Sequence, residues 1–250
     1  MFDALVNGRI DTGPYRFEVT LADIAELNRI AAEGGADMIK VSYAAFARMM
    51  EQYSLLDAGS ALGFGVGPLL ISKTKLSRQD LIDQNLPVAI PGKSTTANLL
   101  LDFYAPKVTN RVEYVFHDIM PAILRGEVAA GVIIHENRFT YTHHGLQLIQ
   151  DLGAYWEAET GAPIPLGGIV ASRSLGPAVI ADLERLMRES VAYAFAHRDA
   201  SSEYVRCHAQ EMDPAVMQAH IDLYVNEYSL SLGETGRKGV DTLLAVALGK

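Results

Sequence analysis

Apolar residues at Leu21, Ile24, Ala25, Leu27 and Ala31 form one stripe between Leu21 and Glu33. That spacing predicts an amphipathic helix, closed by Gly34-Gly35. Residues 1–7 read as the end of a short helix stopped by Asn7-Gly8. A strand is expected over Met38 to Val41, then a helix from Ser42 to Tyr53 with Ser42 placed to cap it. Short apolar runs predict strands at Leu69–Ser72, Pro87–Ile90, Val112–Phe116, Val128–Ile134 and Leu166–Ser172. Helical patterns at Thr95–Tyr104 and Asp118–Arg125 alternate with the middle three of these, so the run reads βαβαβ, a compact α/β unit. Beyond Pro177 the pattern is helical over about 177–197, 200–211, 214–230 and 234–248. Those last helices need an apolar surface to cover, and the first α/β unit offers one. The expected class is α/β, with a large lobe of residues 1–83 plus 173–250 and a small lobe of residues 84–172.

One strand breaks off abruptly. Gly131-Val-Ile-Ile134 is apolar, and His135, Glu136, Asn137 and Arg138 follow at once. A buried parallel strand is a near-continuous hydrophobic run, and open α/β sheets place their chemistry beyond the carboxyl ends of such strands. A rigid element thus hands His135 to a crevice. A histidine merely hydrogen-bonded in a strand-end turn has the same signature, so position alone leaves both readings open. With an unperturbed pKa of about 6.5, an imidazole can serve as a base near neutral pH.

Other motifs say less. Gly63, Gly65 and Gly67 precede a strand, whereas a dinucleotide fingerprint lies between a strand and a helix, so backbone crowding or a bend explains them better. Pro91-Gly92-Lys93-Ser94-Thr95-Thr96 lacks the first glycine of a phosphate loop, because Pro87 occupies that position. What remains is a helix start whose free N–H groups suit an anion such as a carboxylate, or an ordinary Ser/Thr cap with no ligand. His143-His144 and His208-Ala-Gln-Glu211 supply too few converging ligands for a metal site. Lys40 is either an anion anchor or a surface lysine. Pro163-Ile-Pro-Leu-Gly-Gly168 fixes a chain path, and Tyr155 and Trp156 read as packing residues.

Composition narrows the classes. The 250 residues are 49% hydrophobic and 20% charged, ordinary for a globular protein. A net charge of -9 with no basic stripe argues against nucleic acid as a partner. An acidic surface does not draw anions from a distance, so a carboxylate ligand must be held by local donors. Cys207 is the only cysteine, which excludes an intrachain disulfide. No apolar run approaches the roughly 20 residues of a membrane span, and Met1 to Gly8 lacks the features of a signal peptide. A cytoplasmic location without membrane contact is expected. A homodimer is plausible, though no residue argues for it.

Several blocks in order carry a family resemblance: Lys40-Val-Ser42, Gly59-Ser-Ala-Leu-Gly63, Gly65-Val-Gly-Pro-Leu69, Pro91-Gly-Lys-Ser-Thr-Thr96, Ile133-Ile-His-Glu-Asn-Arg-Phe-Thr-Tyr141, Pro163-Ile-Pro-Leu-Gly167, His208-Ala-Gln-Glu211 and Tyr224-Val-Asn-Glu-Tyr-Ser229. Together they resemble the 1,4-dihydroxy-6-naphthoate synthases of the futalosine route to menaquinone, over essentially the whole chain. The resemblance implies the two-lobed fold of type II periplasmic binding proteins with substrate between the lobes. It implies a lyase that converts cyclic dehypoxanthine futalosine to 1,4-dihydroxy-6-naphthoate and releases dihydroxyacetone. By matching motif, His135 is the catalytic base, and Lys40, Val41, Ser42, Thr95 and Thr96 contact the substrate. Glu136 or Arg138 is expected to help position groups near His135. Base-initiated carbon–carbon cleavage, driven by aromatisation, needs no metal or organic cofactor.

Two rivals differ in class or substrate. A non-catalytic solute-binding protein of the same fold has no need of a base at His135, and a secretion signal would favour it. The sister enzyme that dehydrates chorismate in the same pathway is a closer rival, and the His-Glu-x-Arg-Phe-Thr-Tyr block argues against it. Family members begin with a further strand and a Cys-Pro-Asn-Asp-Thr-like turn ahead of the segment equivalent to Phe2–Val6. Without them, the first lobe is expected to lack a sheet strand and part of the crevice wall.

Overall fold

The computed structural model describes residues 1–208 and 213–250. The described residues form nine strands: β1 (Met38–Ser42), β2 (Tyr53–Leu55), β3 (Ala61–Gly63), β4 (Leu69–Ser72), β5 (Val88–Ile90), β6 (Arg111–Glu113), β7 (Ala130–Ile133), β8 (Gln147–Asp151) and β9 (Ile164–Ser172). In the first sheet β9 pairs antiparallel with β1, Met38 opposite Ala171 and Ser42 opposite Gly167. Its other edge is shared by β2 and β3. The second sheet runs β6-β5-β7-β4-β8, with β6, β5 and β7 parallel and β4 antiparallel to both its neighbours.

This pairing moves the expected lobe boundaries. Leu69–Ser72, assigned to the large lobe, is a strand of the second sheet, and Ile164–Ser172, assigned to the small lobe, is the centre of the first. The physical reason is burial. All four residues of β4 are buried, which demands a partner on each edge and cover on each face, and β7 and β8 supply the edges. Residues 64–68 and 152–163 therefore carry the chain between the sheets. The two crossings touch: a Cβ on Gly67 would lie 2.3 Å from the Cα of Gly153. Backbone crowding, one reading of the glycine series, is what Gly67 serves.

Two local expectations also change. The helix expected from Ser42 to Tyr53 is a single turn, Tyr43–Phe46, followed by turns and β2. Tyr43, Phe46, Met49 and Tyr53 still share one core, so their helix-like spacing is satisfied without a continuous helix. The first amphipathic helix begins at Ile24 rather than Leu21, because the Asp23 carboxylate accepts from the N–H groups of Ala25 and Glu26.

The C-terminal helices cover the first sheet, as its apolar face requires. Leu186, Met187 and Val191 of helix Gly176–Ala196 join Leu56, Ile169 and Ala171 in one buried cluster. Helix Gly233–Ala247 also packs on β9, and helix Pro214–Tyr224 lies beside β3. Two of the motif blocks meet here: Asn226 donates to the Leu62 carbonyl at 2.9 Å, and Ser229 to that of Ser60 at 2.8 Å. Trp156 is fully buried and packs 5.1 Å from Phe103, a core role.

Candidate active site

The three parallel strands point their carboxyl ends at one cavity of about 580 Å³, within the usual range for a small-molecule site. Thr95, Thr96 and Ala97 follow β5; Val115, Phe116 and His117 follow β6; Ile134 and His135 follow β7. The first sheet closes the opposite wall with Lys40, Ser42, Ala61, Leu166 and Gly167, and helix Pro214–Tyr224 adds His220 and Tyr224. The lining is mostly apolar with a few polar groups, so those groups decide what binds.

Most of the expected residues meet there, but not in equivalent states. Ser42 is buried and its hydroxyl is already engaged: it donates to the Ser94 carbonyl at 2.8 Å and accepts from the Ala45 N–H and from Asn28. Thr95 caps helix Thr96–Tyr104 and donates to the Gly92 carbonyl at 2.7 Å. Thr96 donates to the Leu166 carbonyl at 3.0 Å, tying the helix start to β9. These hydroxyls build the wall. The N–H groups of Thr96 and Ala97, in the first helical turn, have no intrahelical acceptor, and both residues line the cavity. Val41 is 1% exposed and lies in the core, outside the cavity lining.

Of the expected residues in the lining, Lys40 and His135 are the ionisable ones. Among the described residues no carboxylate lies within ion-pair distance of Lys40, and burial lowers its pKa. His135 holds a left-handed backbone conformation, φ 57°, at the turn out of β7. Non-glycine residues rarely sit there, and such strain clusters at functional sites. Its ring packs edge-on against Phe116 at 5.0 Å and lies 5.9 Å from the ring of His220. Burial, then Lys40, then His220 push the His135 pKa down to about 3. The imidazole is therefore neutral and carries a free lone pair at pH 7.

Arg138 does not reach the cavity. Its guanidinium bonds the Gly67 carbonyl and, at 2.7 Å, the Asp151 carboxylate. Asp151 in turn caps helix Leu152–Thr160. Arg138 thus pins the turn bearing His135 to both chain crossings, a support from outside rather than a hand within the site. Glu136 is likewise absent from the lining. His143 and His144 are exposed, and the side chains of His208-Ala-Gln-Glu211 lie outside the described residues. His220, Tyr224 and Phe116 also line the cavity, beyond the residues that the sequence motifs point to. The His220–Tyr224 spacing of four on one helix face was the available signal.

A sequence profile described as menaquinone biosynthesis matches residues 1–248. The chain belongs to that family. A relative from Thermus thermophilus named 1,4-dihydroxy-6-naphthoate synthase is 46% identical over 247 residues, 99% of this chain and 89% of its own length, so the resemblance carried by the motifs is borne out. Protein AF1704 from Archaeoglobus fulgidus superposes with a TM-score of 0.91 at 33% identity, covering 99% of this chain and 92% of that one. The alkanesulfonate-binding protein SsuA from Xanthomonas axonopodis pv. citri, solved with MOPS, gives 0.60 at 15% identity over 80% and 71% of the two chains. The family's α/β fold is thus that of periplasmic solute-binding proteins. No helix among the described residues is long and apolar enough to cross a membrane.

Proposed function

We propose that this chain is a carbon–carbon lyase that converts cyclic dehypoxanthine futalosine to 1,4-dihydroxy-6-naphthoate with release of dihydroxyacetone. The observation that carries the reading is His135: a neutral imidazole with no side-chain hydrogen bond among the described residues, held in a strained turn on the wall of a largely apolar cavity. The name of the Thermus relative supports the product. In its simplest balanced form, His135 takes the proton of a substrate hydroxyl. That oxygen becomes a carbonyl as the adjacent carbon–carbon bond breaks, and the bond's electron pair enters the ring fragment as an enolate. The imidazolium returns the proton to that fragment, and aromatisation drives the step. Electrons and protons balance within the substrate, so no redox partner enters. Lys40, with the N–H groups of Thr96 and Ala97, would hold the substrate carboxylate.

The test is incubation of the purified chain with cyclic dehypoxanthine futalosine and chromatography for the naphthoate. His135→Asn should lower kcat by about 10² to 10⁴, the usual worth of a general base, while binding persists. Asn is chosen because it tolerates left-handed backbone better than other replacements. Full activity in that variant removes His135 from the mechanism. Binding without turnover by the unaltered chain would instead favour a non-catalytic clamp.

A further inference from the structure

His220 has a buried ring nitrogen with nothing to bond. Among the described residues only its Nε2 and the Trp156 Nε1 are buried side-chain polar atoms without a hydrogen-bond partner. Trp156 lies deep in the core, whereas His220 lines the cavity. An unpaired buried polar atom in a native fold calls for an explanation, and a role in catalysis is one.

The neighbour of His220 has the complementary deficiency. A catalytic imidazole is normally fixed in one tautomer by the hydrogen bond that its second nitrogen makes, and among the described residues neither His135 nitrogen has a hydrogen-bond partner. Two rings flank it. Phe116 offers no hydrogen-bonding atom, which leaves His220. Imidazoles joined by an N–H···N contact of about 3 Å have ring centres roughly 5 Å apart. The observed 5.9 Å is longer than such a bond allows, and the pairing requires a side-chain rotation that closes the difference. Tyr224, one turn along the same helix, packs 4.7 Å from His220 and holds its ring over the cavity.

We propose that His220 is the positioning residue of a two-histidine dyad: its Nε2 accepts a hydrogen bond from one ring N–H of His135 and leaves the other His135 nitrogen free as the base. The idea rests on the lyase reading for its consequence in turnover. When His135 takes the substrate proton it becomes an imidazolium, the bond to His220 stays in place, and the same proton is later returned. His220 needs only to remain neutral. Burial and the charge of Lys40 keep it so, pushing its pKa down to about 4.

Two measurements decide the matter. In long-range ¹H–¹⁵N spectra of histidine-labelled protein saturated with 1,4-dihydroxy-6-naphthoate, His135 should show a single tautomer, and His220→Phe should return a mixture. His220→Phe keeps the packing on Tyr224 but loses the acceptor, so kcat should fall about 10- to 100-fold, as for other residues that orient a functional side chain, with KM little changed. His220→Gln restores an acceptor and should recover part of that loss. Equal kcat in His220→Phe and the unaltered chain, or no rescue by Gln, overturns the dyad. Mixed tautomers of His135 in the unaltered chain do so as well. If the Phe variant does not fold, the tautomer of the unaltered chain decides alone. An unaltered chain that binds the naphthoate but never turns over substrate sinks the lyase reading instead, and the tautomer result still stands or falls separately.

Discussion

Wedged between Phe116 and His220, His135 is a weak base in the empty cavity, and a ligand can change that. Burial is the largest cause of its low pKa, and the ammonium of Lys40 is the next. A substrate carboxylate beside Lys40 would cancel much of that second influence. The sign for stability follows from linkage. The unfolded chain protonates both histidines near their ordinary value of about 6.5, while the folded chain resists until about 3 for His135 and about 4 for His220. Between those limits the unfolded state binds more protons, so stability rises with pH. The contribution is complete above about 6.5 and lost as pH falls toward the folded values. Histidine resonances of His135 and His220 should therefore show no titration between pH 7 and 5, and unfolding by urea should become easier over the same interval. His135→Asn and His220→Asn should each flatten that slope. A midpoint near 6.5 for either ring would show that burial and Lys40 do not act as described.

At the scale of elements, the sequence was readable where a residue's partners lie close along the chain. The parallel strands β5 and β7 announce themselves as apolar runs, and the polar break after Ile134 marks where the cavity begins. Caps at Ser42, Thr95 and Asp23 depend on the next three residues, and two of the three were anticipated. Strand β8 leaves no signal in the sequence because Gln147–Asp151 is an edge strand with Leu148 49% exposed, so it has no apolar run to betray it. Sheet membership is illegible in sequence for another reason: pairing of β4 with β8, and of β9 with β1, joins residues far apart in sequence. His220 is hidden the same way, since the packing of helix Pro214–Tyr224 beside β3, far away in sequence, places it near His135. The contact between the crossings makes the strongest demand on sequence. Gly67→Ala forces a methyl against the Gly153 backbone, and overpacking of that kind costs about 1–3 kcal/mol. For a chain of this size each kcal/mol is about 2–4 °C, so calorimetry should find a melting temperature lowered by several degrees. An unchanged value would mean that the crossings separate freely.

For the molecule as a whole, the cavity sets stability against function through one residue. Lys40 stands on β1 with its ammonium facing the cavity and no carboxylate to pair with among the described residues. A partly buried charge without a partner disfavours folding, and sites built for ligands commonly carry such a cost. A carboxylate ligand supplies the missing charge. Binding to the folded state alone adds RT ln(1 + [L]/Kd), about 2.7 kcal/mol at a hundredfold excess over Kd, or roughly 5–10 °C for a chain of this size. Thermal unfolding with 1,4-dihydroxy-6-naphthoate should therefore show a saturable rise of that order. Lys40→Met, which keeps the length of the side chain and removes the charge, should melt at or above the temperature of the unaltered chain when no ligand is present. It should also lose most of the ligand-induced rise. The two effects have opposite signs because one charge is a liability in the empty cavity and the anchor in the filled one. A Lys40→Met chain that melts lower without ligand, or that keeps the full rise with it, would show that Lys40 serves the scaffold rather than the substrate.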